Sequence, residues 1–179
     1  MTRGPSPFVV SIAELLRTPG TQRLVELGGS LPGLTVSSAG VPDDALVSAR
    51  LTLELLVDGR LTATGAVEAP WQGTCRRCLG PVDGVAAVHV QEVFERRPAP
   101  DAETYALESD RVDLEPMVRD AVLLALPLAP LCRPDCPGPD PEHPVALEGE
   151  ERPDPAGDDA EAERAPDPRW ATLRDLRFD

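Results

Sequence analysis

The 179-residue sequence predicts an α+β fold: an antiparallel sheet or partial-barrel meander, packed by one main amphipathic helix and followed by a disordered acidic C-terminal segment. The sheet is read from LVSARLTLELLV, where Val47, Ala49, Leu51, Leu53 and Leu55 alternate with Ser48, Arg50, Thr52 and Glu54, the two-residue period of a half-buried strand. The helix is read from Leu114, Met117, Val118, Ala121, Val122 and Ala125, which recur at the spacing of one helical face. The disordered segment is read from the stretch Pro137 to Pro168, which sets eleven acidic residues against Arg152 and Arg164. So little apolar surface does not offset the entropy of ordering the chain.

Along the chain, SIAELLRTPG places Ser11 three residues before Glu14, the spacing of a capping box, with Pro19-Gly20 ending a short helix. QRLVEL reads as a strand, and LGGSLPGLTVSSAGVPDD as a loop. After the alternating strand, Asp58-Gly59 is a hairpin signal. A two-residue turn there sets Leu55 opposite Thr62, apolar against polar, and a bulge at Leu55–Leu56 restores the match. The next strand lines up Leu61, Ala63, Gly65, Val67 and Ala69; a third carries Ala86, Val88, Val90 and Phe94 on one side. RPAPDAETYALESD is polar and loop-like, and its Tyr105 has no evident partner. Asp113 is the expected N-cap of the main helix, Pro116 is tolerated in its first turn, and Pro127 stops it.

The expected organisation is a folded domain over residues 8–136, an acidic Pro-rich linker over 137–168, and a short helix over 169–179 from the spacing of Trp170, Leu173 and Leu176. The opening MTRGPSPFVV lacks the sustained apolar run of a secretory leader. The longest apolar stretch, AVLLALPLAPL, is short and broken by prolines. The expected location is therefore the cytoplasm, without a membrane partner. A net charge of −14 opposes a phosphate backbone except at small basic patches, Arg76–Arg77 and Arg96–Arg97. A basic protein partner suits that charge better. The basic residues are all arginine, which points to GC-rich coding in a bacterium.

Cysteines carry the clearest chemical signal. Cys75 and Cys78 flank Arg76 and Arg77 in GTCRRCLGPVDG, between two strands of the meander; Cys132 and Cys136 follow the main helix in PLCRPDCPG. Four cysteines in a chain this size do not make a disulfide scaffold. Two close pairs in Gly/Pro-rich turns, Cys75-x2-Cys78 as a usual first half and Cys132-x3-Cys136 as an acceptable second, suit a four-thiolate structural zinc site of Cys75, Cys78, Cys132 and Cys136. The gap between the pairs requires the fold itself to bring them together. A redox pair of the thioredoxin kind needs a helix N-terminus to lower its thiol pKa, and a turn follows Cys78 instead. Structural or idle thiols remain the third reading. His89 and His143 read as solvated, and no phosphate loop or nucleophile–base constellation is present.

Taken in order, VSIAELLRTPG, CRRCL, the run VDLEPMVRDAVLLALPLAPLC with its following cysteine, and DPRWATLRDL resemble the YceD family, the large ribosomal RNA subunit accumulation proteins. The resemblance spans nearly the whole chain. It implies a bacterial cytoplasmic, non-enzymatic factor for accumulation or processing of large-subunit ribosomal RNA. Its implied partner is a large ribosomal subunit precursor; the charge balance adds that a basic ribosomal protein makes the contact, and Arg76 and Arg77 are the candidates for local RNA contact. Many relatives continue past the second pair with Gly-Leu-Cys-x-x-Cys-Gly; here Cys136 is followed by PGPDPEHPV, so the four cysteines are the whole thiolate set. The alternatives are a thiol- or metal-dependent enzyme using Cys75 and Cys78, or a general protein-interaction module.

Overall fold

The computed structural model describes residues 6–99 and 102–139. The expected terminal helix at 169–179 and residues 140–168 of the acidic segment lie outside them. The fold is α+β, built on an open six-stranded sheet (order β2-β4-β5-β6-β7) from β2 (Gln22–Gly29), β4 (Val47–Leu55), β5 (Leu61–Thr74), β6 (Pro81–Glu95) and β7 (Tyr105–Ala106), with β3 (Ala39–Gly40) also on β5. Every pairing in it is antiparallel except β6 with β7. A separate two-stranded ribbon joins β1 (Val9–Ser11) to β8 (Arg111–Asp113). The sheet does not close into a barrel.

Alternation in the sequence becomes two faces in the sheet. Val47, Ala49, Leu51, Leu53 and Leu55 are all buried, and so are Leu61, Ala63, Val67 and Ala69 on the paired strand. Ala86, Val90 and Phe94 of β6 join them, with Val88 half-buried. Each fully buried Leu, Val or Phe contributes about 1.5–3 kcal/mol relative to exposure, so this face fixes the register. The register is Leu55 opposite Leu61, with no bulge at Leu55–Leu56. The expected two-residue turn is corrected: Leu56 N–H donates to Arg60 O (2.8 Å), Gly59 N–H donates to Leu56 O (3.0 Å), and Gly59 has φ +86°. The extra residue thus sits in a three-residue loop closed by a left-handed glycine. Gly65, at φ +156°, opposes Leu51 so closely that a Cβ would lie 2.1 Å from the Arg50 carbonyl oxygen.

Strand β5 is paired unevenly along its first edge. Strand β4 follows it to Ser48 opposite Glu68, and β3 resumes at Gly40 opposite Gln72. Between them, Pro70 lacks the N–H that an interior strand position would have to satisfy.

The main helix, α2 (Glu115–Ala125), buries Met117, Val118, Ala121 and Val122 against β5 and β6. Its N-cap position falls at Leu114, one residue later than expected, yet Asp113 still supplies the carboxylate: Oδ1 accepts from Glu115 N–H at 2.9 Å. The short helix α1 (Ala13–Arg17) has no capping box. Ile12 occupies its N-cap position, Ser11 belongs to β1, and Ser11 Oγ accepts from Ala13 N–H at 3.4 Å. Tyr105 acquires partners the sequence did not reveal: its hydroxyl donates to Asp120 Oδ2 at 3.0 Å and its ring stacks on Phe94. Burial, and then that carboxylate, raise its pKa above the usual tyrosine value.

Candidate metal centre

Two backbone turns of different origin deliver the cysteines. Strand β5 ends at Thr74 and β6 begins at Pro81, so Cys75 to Gly80 forms the turn between them. Cys75 N–H donates to Gly80 O at 2.8 Å, and Leu79 N–H donates to Cys75 O at 3.0 Å. Leu79 closes the turn with φ +59°, a left-handed conformation that costs a non-glycine residue about 1–2 kcal/mol. On the other side, α2 ends and Leu126 turns extended before Pro127. The chain then runs to Pro130, whose carbonyl accepts from Arg76 N–H at 2.9 Å.

The second pair is held to the first by more than sulfur. Arg77 reaches across with Nη1 and donates to the carbonyl oxygens of Pro134 and Cys136, both at 3.2 Å. Cys132 N–H points at Cys75 Sγ, 3.4 Å away. Spacing alone could not have revealed this work for Arg77, because its acceptors are backbone atoms far along the chain. The Arg76 side chain is exposed and has no hydrogen-bond or ion-pair partner among the described residues.

The four sulfurs converge within 4.8 Å of one another. Cys75 Sγ lies 3.8 Å from Cys136 Sγ, and Cys78 Sγ lies 3.8 Å from Cys132 Sγ. A tetrahedron of Zn–S bonds of about 2.3 Å has an edge of about 3.8 Å, so the donor set is compatible with zinc in both chemistry and size. None of the four is in a disulfide. Cys75 and Cys136 are buried, Cys78 is half-buried and Cys132 is exposed.

The thiols are not equivalent. The backbone N–H of Cys78, then that of Cys132, donate to Cys75 sulfur and outweigh its burial, bringing its pKa down to about 6. Cys132 is pushed up to about 12, first by its hydrogen bond with the Cys136 thiol and then by desolvation. Of these two, the thiol shifted down is therefore buried and the one shifted up is exposed. No helix begins at the Cys75–Cys78 turn, so the dipole that activates a redox pair is missing there.

A family model described as large ribosomal RNA subunit accumulation protein YceD matches residues 63–177, a span that includes all four cysteines. Uncharacterized proteins of Mycobacterium tuberculosis and Mycobacterium bovis are each 35% identical over 178 residues, covering 96% of this chain and 82% of the relative. An uncharacterized protein of Mycobacterium leprae is 33% identical over 144 residues, covering 74% of this chain and 64% of the relative. No solved structure matches the chain. On the family match and the likeness over 96% of this chain together, the chain belongs to the YceD family of large ribosomal RNA subunit accumulation proteins.

Proposed function

We propose that the chain is a non-enzymatic factor that supports the accumulation and processing of large-subunit ribosomal RNA during ribosome assembly. The observation that carries this reading is family membership, since the matching model is described by large ribosomal RNA subunit accumulation. The partner in this proposal is a large-subunit precursor, engaged through a basic ribosomal protein. A net charge of −14 supports a basic protein over bare RNA. Arg76, exposed and unpaired among the described residues, is the better candidate for a local RNA contact, because Arg77 already serves two carbonyls of the cysteine turn.

Cys75, Cys78, Cys132 and Cys136 would hold a structural zinc ion. Bound there, the ion supplies four strong bonds that lock the β5–β6 turn to the segment following α2. The burial of Cys75 and the convergence of all four sulfurs favour that clamp over the rival thiol-dependent enzyme, which needs an accessible thiolate. No helix among the described residues is long and apolar enough to cross a membrane.

Depleting the protein in its own cell and measuring large-subunit against small-subunit ribosomal RNA, precursors included, tests the reading. A selective fall in large-subunit RNA is expected; an unchanged ratio overturns it. Removing residues 137–166 tests the acidic segment separately, and unchanged association with large-subunit precursors would exclude it as the contact.

A further inference from the structure

We infer that the gap in the edge of β5 forms a recognition pocket for a cationic side chain, arginine above all, of a basic protein segment. The proposal rests on the reading of a basic partner and names where one of its side chains is held. A cavity of about 350 Å³ opens where β4 has left β5 and β3 has not yet joined it, lined by Pro42, Asp44, Trp71 and Asp83 among others. Its volume is at the small end of ligand sites, suited to one side chain rather than a cofactor.

Three features of this place point to a cation. Pro70 removes the N–H that the missing strand would have satisfied, so the gap leaves no donor there in need of a partner. Trp71 stands opposite Gly84 in the β5–β6 register, and its indole lies so close that a Cβ on Gly84 would be 3.0 Å from the ring. A glycine at that position seats the indole against backbone, and a seated indole wall is the preferred aromatic surface for a guanidinium. Asp44 and Asp83 are exposed, line the same cavity, and form no ion pair among the described residues. No basic side chain among the described residues lines the cavity. An aromatic wall and two exposed carboxylates in one cavity together favour a planar cation that can donate hydrogen bonds while lying on the ring. RNA is disfavoured there because both ionised groups repel phosphate.

The test uses the full chain with Trp170→Phe, leaving Trp71 as the sole tryptophan, titrated with an arginine-rich peptide and, separately, with spermidine. Saturable quenching of Trp71 fluorescence by the peptide is expected. Asp44→Asn with Asp83→Asn should weaken peptide binding at least about tenfold, the scale of a lost charge-assisted contact, with the thermal midpoint unchanged. Trp71→Phe, which keeps an aromatic ring on Gly84, should weaken binding less, as followed by calorimetry. Absence of peptide binding, or binding indifferent to the two Asn substitutions, overturns the pocket; the second result assigns the peptide to acidic residues elsewhere. Equal dependence of spermidine on the two aspartates overturns its assignment to a protein segment. Failure of the pocket with a retained RNA phenotype on depletion leaves the assembly reading standing, whereas loss of that phenotype strikes the reading itself.

Discussion

Replacing Cys132 by Ser separates a metal ligand from a merely packed thiol. Cys132 is exposed, so the substitution removes almost no buried surface and, in metal-free protein, should change stability by less than about 0.5 kcal/mol. Its sulfur nevertheless stands 3.8 Å from that of Cys78 and shares a cluster within 4.8 Å. If zinc binds only the folded chain, free zinc about 1,000-fold above its Kd adds about 4 kcal/mol to stability. Losing most of that should lower Tm by roughly 12–20 °C for a domain of this size. Calorimetric melts of parent and Cys132→Ser, each with and without chelator, should therefore differ only in the zinc-loaded pair, and the parent should hold one zinc per chain by elemental analysis. Equal melting of the two proteins with zinc present, or a parent that binds none, would refute the clamp.

Gly65→Ala should destabilise by about 1–3 kcal/mol or more in urea titrations, since its Cβ would meet the Arg50 carbonyl oxygen at 2.1 Å; a neutral result would refute the β4–β5 register. Tyr105 is the only tyrosine, so absorbance of its ionised form reports one site. With its pKa raised by burial and Asp120, its contribution to stability is full below the ordinary tyrosine pKa and lost as pH rises through the folded value. Tyrosinate absorbance should accordingly lag behind that of the unfolded chain, and a matching titration would remove the hydrogen bond. Cys75 has the opposite sign: its thiol falls from 9.0 to about 6, so its contribution is full above about 9 and lost as pH falls through about 6. Metal-free protein should gain stability from this group between those limits, and Cys75→Ser should abolish that slope in urea midpoints measured across the range.

The sheet was legible because a two-residue period leaves one way to bury Val47 through Leu55 and Leu61 through Ala69. The turn between them was not, because the surplus residue near Leu56 fits either a strand bulge or a longer loop, and Gly59 in its left-handed conformation selects the loop. The helix was visible in its stripe, while its N-cap shifted by one residue because Asp113 is taken into β8 and caps from there. The cysteine quartet was readable as a residue type in two turns. Its convergence was not, since it depends on α2 crossing β5 and β6 before the chain turns back to Cys75. The partners of Tyr105 and Arg77 escaped notice for the same reason: Asp120 and the Pro134 carbonyl reach them through tertiary structure.

The order in which the cysteines are synthesised gives their meeting a clock. Cys78 and Cys132, whose sulfurs end side by side, are separated by 54 positions. At about 5–20 residues per second a ribosome takes roughly 3–11 s to travel between them. Hairpins form in microseconds, so β4, β5 and β6 have ample time to pair while the first two thiols wait without the second two. A nascent chain in that interval owns a sheet but no clamp, and any ion taken by Cys75 and Cys78 alone is held by half a ligand set and readily exchanged. If the four sulfurs take an ion, a full ligand set is open only to chains that have made α2 and packed it.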